Sequence, residues 1–291
     1  MTRYGVNSEY GPLSSVLLYR PGTEIGNYPD PARILHLRPI DYPALMREFD
    51  AIVAAFEALG VVITLVDSAP LDDDCWYRYN MMYCRDLCFM TPAGALLANM
   101  AHAVRRFEPL YAARSLRASG VPLLHAVSGE GSFEGADAIW LRENLVLVGV
   151  GNRTNIEGYS QVREVLSRQG VECLAVPSYQ ITTQHLLGSV QIVDHDLALV
   201  RHGIVAPEVI TLLETLRFSV VRIPENDEVR NRQAMNIVTV APRTVFMTGG
   251  CPETEELYRR AGLTVVAELE LTQLISGAGG LACATGIVAR V

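Results

Sequence analysis

The sequence predicts an α/β fold in which five ββαβ units close into a ring, a single domain over residues 1–291. Three observations predict it. Two short apolar strands joined by a tight polar turn, then an amphipathic helix and one more strand, recur along the chain. Gly170 and Gly262 follow two of the helical stretches, at the place where a residue free to turn left-handed ends a helix. The runs LSSVLLYR and ACATGIVARV, far apart in sequence, together supply the strand pair of one split unit, so the ring needs no linker. The alternative architecture with such alternation is an ordinary α/β sandwich.

In chain order, LSSVLLYR leads to a helix over 42–59 and the strand VVITLV, with ACATGIVARV as its second strand. The next unit is LCFMT, a turn at 92–94, ALLANM, a helix near 109–118 and VPLLHAV. ADAIWL, the turn RENL, VLVGV, a helix over 155–169 and VECLAV form the third. The fourth runs GSVQIV, DHD, LALVRH, a helix near 207–216 and SVVRI. The last has NIVTVA, a turn at Pro242 and Arg243, TVFMT, a helix over 252–261 and TVVAEL.

The composition, 49% hydrophobic and 19% charged over 291 residues, is enough for a large core. A net charge of -8 argues against a nucleic-acid or anionic membrane surface, since both need clustered Lys and Arg, and suits a small cationic partner. Cys75, Cys84, Cys88, Cys173, Cys251 and Cys283 lie far apart without CxxC or zinc-ligand spacing, so reduced thiols in the cytoplasm are expected. The opening MTRYGVNSEYG has no charged head before an apolar stretch, and no apolar run reaches the roughly 18 residues of a membrane helix. No metal or cofactor is expected, and homo-oligomerisation is left open.

In a ring of repeats the strand ends face a central channel, so polar residues there converge from distant positions. Asp86 ends the stretch Asn80-Met81-Met82-Tyr83-Cys84-Arg85-Asp86 before LCFMT. Glu134 and Asp137 precede ADAIWL, and His185 in Gln184-His185-Leu186-Leu187 holds the matching place in its own unit. Cys283 sits in the glycine-rich SGAGGLACATG, where backbone can come close to whatever the sulfur attacks. Two carboxylates, an imidazole and a thiol suit a guanidinium, a planar cation that carboxylates hold in its plane. Asp86 and Glu134 would hold it, Cys283 would attack its central carbon as thiolate, and His185 would protonate the departing amine and then activate water. The DHD turn around His195 is expected to be a strand connection rather than a metal site.

At these residues the chain resembles the guanidino-group-modifying, or pentein, superfamily of arginine deiminases, dimethylarginine dimethylaminohydrolases and amidinotransferases. NMMYCRD, FEGADAIWL, GNRTN, QHLL and GGLACAT are similar to its successive motifs, in the same order. The resemblance implies a five-bladed α/β propeller, with Cys283 as nucleophile, His185 as acid and base, and Asp86 and Glu134 as the guanidinium clamp. It also implies that Asn80, Asp137 and Arg153 line the substrate. Three departures matter. Arginine deiminases have an aspartate where this chain has Leu187, an arginine where it has Ala278, and an inserted helical subdomain for which it has no room. Leu187 would set an apolar wall beside one guanidinium nitrogen and tolerate an alkyl group there. The expected activity is therefore hydrolysis of a guanidino C–N bond in arginine, an N-substituted arginine or a related compound. An amidinotransferase is the alternative, and a non-catalytic pentein would lack the nucleophile.

Overall fold

The computed structural model describes residues 4–26, 28–70, 78–178 and 183–291; Cys75 lies outside them. The first blade begins with β1 (Leu13–Leu18), α1 (Tyr42–Ala58) and β2 (Val62–Leu65). The second has β3 (Cys88–Thr91), β4 (Gly94–Leu97), α2 (Glu108–Ala118) and β5 (Leu123–Ala126). β6 (Ala138–Arg142), β7 (Leu145–Gly151), α3 (Ile156–Ser167) and β8 (Glu172–Ser178) form the third. The fourth holds β9 (Val190–Asp194), β10 (Leu197–Arg201), α4 (Pro207–Thr215) and β11 (Ser219–Ile223). After α5 (Asp227–Asn231), the fifth has β12 (Val238–Ala241), β13 (Thr244–Thr248), α6 (Pro252–Arg260) and β14 (Thr264–Leu269). α7 (Thr272–Ser276) and α8 (Leu281–Ala284) lead to β15 (Gly286–Arg290), which returns to β1.

Each blade is a three-stranded sheet with one antiparallel pair and one parallel pair. The antiparallel pair needs only a tight turn, and the parallel one needs the crossover helix. In the third blade β6 and β7 pair Ala138 with Val148, and β7 and β8 run in register from Leu145–Glu172 to Gly151–Ser178. The inner strands β3, β4, β9 and β10 are buried throughout, whereas β14 alternates and so forms an outer edge. β15 touches β3, β6 touches β9, and β12 touches β1; Phe89 of β3 stacks on the fully buried Trp140 of β6, and Arg243 ties the fifth blade to Asp194 of the fourth. The ring is thereby closed.

The helices follow from their sequences. α1 buries Leu45, Phe49, Ile52 and Phe56, a stripe at helical spacing, and the Asp41 carboxylate caps it by accepting from the Ala44 N–H at 2.9 Å. Asn155 caps α3 in the same way, and Gly170 beyond its end takes φ +73° as the helix-ending role requires. One expected strand boundary differs. ACAT at 282–285 reads as strand, but Leu281–Ala284 is a helical turn and β15 starts at Gly286. A short apolar run does not distinguish the two forms. Here the Ala282 and Cys283 N–H groups are taken by the Asn236 side chain, and Ala284 N–H reaches Gly280 O at 3.0 Å.

Candidate active site

Four chain segments bring their polar residues to the start of a blade's inner strand. Asp86 ends a 3-10 turn before β3, Glu134 precedes the turn Gly135–Asp137 before β6, His185 precedes the turn Leu186–Gly188 before β9, and Cys283 lies in α8 before β15. Close backbone approach makes this convergence feasible. A Cβ on Gly135 would stand 2.2 Å from the Cys88 carbonyl oxygen, and one on Gly279 would stand 2.2 Å from the Tyr83 ring. Asp86, His185 and Cys283 line one cleft of about 460 Å³ together with Asn80, Arg105, Arg153, Leu187 and Asn236.

The carboxylate and imidazole side is a buried ionic network. Glu134, fully buried, meets His185 Nε2 through Oε2 at 2.6 Å and accepts the Ala101 N–H through Oε1 at 3.1 Å. Arg105 donates to Asp86 Oδ2 at 2.6 Å, to Glu108 Oε2 at 2.8 Å and to the Asn80 carbonyl at 3.2 Å. Asp86 Oδ1 is buried without a hydrogen-bond partner among the described residues, and His185 Nδ1 stands 3.7 Å from it. Burial alone would discharge His185, but Asp86 and Glu134 outweigh it and raise its pKa to about 9. Burial pushes the Glu134 carboxyl up as well, yet the bond and charge of His185, with Arg105 and Arg153, hold it well below the usual carboxylate range. The imidazole is thus a cation at neutral pH, with Nδ1 as the nitrogen left to exchange a proton.

The thiol side carries no such charges. Asn236 donates from Nδ2 to Cys283 Sγ at 3.1 Å, while its Oδ1 accepts the N–H groups of Ala282 and Cys283 at 2.7 and 3.2 Å. Burial pushes the thiol up to about 11, with Asp86 adding to the rise and the Gly280 backbone, Asn236 and Arg105 opposing it.

The remaining expected site residues divide. Asn80 lines the cleft, but its side-chain amide is tied to Ile34 O at 2.8 Å. Arg153 lines it beside Glu134 at 3.6 Å and Gln184 at 2.6 Å, and Leu187 forms part of the wall. Asp137 does not line the cleft. Its carboxylate turns inward, accepting from Thr154 Oγ1 at 2.7 Å and the Leu186 N–H at 3.0 Å, so it fixes the backbone beside His185. Glu134 also departs from the clamp expectation, because its oxygens are directed at His185, Arg153 and the Ala101 amide.

Asp86, Glu134 and His185 have ligand atoms within 4.8 Å of one another, as do Asp194, His195 and Asp196. Arg105 and Arg243 respectively pair with carboxylates of the two groups and occupy oxygens that a metal ion would need. Asn236 and Arg105 are among the cleft residues that the sequence reading does not single out. Asn236 holds, in the fifth blade, the same place before the inner strand as the other four, so the repeat itself could have pointed to it. Arg105 sits in the basic run AVRRF, which gives no sign that one arginine of it is buried.

The arginine deiminase family profile matches residues 79–217, just under half of the chain, spanning Asp86, Glu134 and His185. A protein of Aeropyrum pernix is 25% identical over 230 residues, covering 76% of each chain. Among solved structures, the dimethylarginine dimethylaminohydrolase of Pseudomonas aeruginosa complexed with citrulline is 20% identical, with a TM-score of 0.75, covering 96% of this chain and 100% of that one. SxtG, an amidinotransferase from Microseira wollei, is 16% identical with a TM-score of 0.79, covering 99% of this chain and 97% of that one. The ring of ββαβ blades is therefore the pentein propeller. The chain shares that fold with these structures and, over residues 79–217, the arginine deiminase profile.

Proposed function

We propose that the chain is a cysteine-dependent enzyme that cleaves a guanidino C–N bond to give a ureido product and an amine or ammonia. The observation that carries this reading is the cleft shared by the Cys283 sulfur, the His185 imidazolium and an Asp86 Oδ1 that accepts no hydrogen bond among the described residues. A guanidinium N–H satisfies that oxygen, and its positive charge beside the sulfur draws the thiol toward thiolate, reversing the effect of burial, with the thiol proton leaving to solvent. Cys283 Sγ then bonds to the central carbon. As the adduct collapses the C–N bond breaks, its electron pair goes to the leaving nitrogen, and His185 Nδ1 supplies the proton. A thiouronium remains on Cys283. Neutral His185 next takes a proton from water as its oxygen adds to the carbon, the C–S bond breaks with its electron pair returning to sulfur, and the remaining hydroxyl proton leaves to solvent to give the ureido C=O. Glu134 keeps the imidazole oriented and charged, and Arg105 offsets the carboxylates around it.

The similarity to an amidinotransferase fold supports a second reading, in which an acceptor amine replaces water. One experiment tests both: incubation with a panel of guanidino compounds, with and without added primary amines. Ureido product independent of amine is the expected result. A new guanidino product formed only with amine favours transfer, and no change in any compound refutes the proposal.

A further inference from the structure

We infer that Asn236 is a positioning residue that stabilises the Cys283 sulfur as a thiolate, both before attack and when the C–S bond breaks; this rests on Cys283 being the attacking atom of the proposed function. The orientation of the amide is forced. Its Oδ1 receives two backbone N–H donors, from Ala282 and Cys283, so Nδ2 must be the atom that faces Sγ at 3.1 Å. Nδ2 can only donate, and a donor aimed at sulfur is strengthened when the sulfur is an ion.

The amide is also rigid. Asn236 N–H bonds to Gln233 O at 2.8 Å, Tyr258 Oη donates to the neighbouring Ala234 O at 3.0 Å, and a Cβ on Gly280 would stand 2.6 Å from Asn236 Cγ. The residue is 7% exposed. A fixed, buried donor needs no reorganisation when charge appears on the sulfur, which is how a preorganised dipole favours the charged state. The same bond serves twice. The electron pair that forms the C–S bond starts on the sulfur beside Nδ2–H, and returns there when water expels the thiolate.

The test reads the thiol directly. Alkylation of Cys283 by iodoacetamide, followed by peptide mass spectrometry across a pH series, gives a midpoint for the wild type, Asn236→Ala and Asn236→Asp. Asn236→Asp keeps an oxygen for the two backbone N–H groups but loses the donor, so it separates the sulfur contact from support of the loop. Both variants should raise the midpoint by about one pH unit or more, Asp the further because of its charge. If Asn236→Ala does not fold, Asn236→Leu, an uncharged side chain of similar size without the donor, decides. An unchanged or lowered midpoint in a folded variant overturns the inference, even where guanidino turnover is found in the wild type. A raised midpoint sustains it, even where no guanidino compound is consumed and the proposed function fails.

Discussion

On the side of the cleft built before β3, β6 and β9, every reactive group is held by an opposite charge: His185 by Glu134 and Asp86, Asp86 by Arg105. On the side built before β12 and β15 the sulfur is held by the neutral Asn236 amide and the Gly280 backbone. The imidazole is consequently charged before substrate arrives, whereas the thiol is not. In the proposed reaction this difference gives the substrate's own cation a task. It would complete the uncharged side, and a neutral isostere of a guanidine would leave the sulfur protonated and unreactive.

The sharpest break of this contrast is Cys283→Ala, which should lower turnover by about a thousandfold or more while changing the melting temperature little, since it deletes an atom of the uncharged side only. Steady-state product formation and thermal unfolding measure the two effects. Glu134→Gln strikes the other side. An amide cannot balance the buried His185 and Arg105 charges, so about 3 to 5 kcal/mol of stability and at least about a hundredfold in rate should be lost. A folded Gln variant with near-normal rate would mean the imidazole does not depend on that carboxylate.

Leu187→Asp would carry charge toward the wall that lacks it. An unpaired guanidinium N–H against Leu187 costs about 1 to 3 kcal/mol, and an N-methyl group there avoids the loss. Wild-type kcat/KM should thus favour N-methylated arginine over arginine, and the Asp variant should shift the ratio toward arginine. A wild type that strongly prefers arginine, with no shift in the variant, would remove Leu187 from the specificity account. The smallest effect concerns pH. His185 is raised from 6.5 to about 9, so its contribution to stability is complete below about 6.5 and is lost as pH rises through about 9. Melting temperatures between those values should fall for the wild type and fall less steeply for His185→Gln.

The repeat made most of this legible in sequence. Polar residues before the inner strands of LCFMT, ADAIWL and GSVQIV could be matched because each blade starts the same way, and matching positions in a ring share one end of its channel. Which partner each residue takes was not legible. Glu134 and Asp137 lie three residues apart, yet one reaches His185 and the other turns to Thr154 and the Leu186 amide. That choice is made by blades meeting in space, not by spacing along the chain. The same holds for Arg105, whose burial depends on Asp86 and Glu108 converging on it, and for the helical turn at Cys283, which depends on Asn236 taking its amides.

The pairing of β15 with β1 has a consequence for how the site comes into being. The strand that follows Cys283 can dock only on a strand from the opposite end of the described chain, and contacts of such wide sequence separation form slowly. Asp86, Glu134 and His185 are synthesised earlier and belong to blades whose own strands are local. The sulfur therefore joins them at ring closure, so a partly made chain that has already folded its middle blades carries the proposed acid–base residues without the proposed nucleophile.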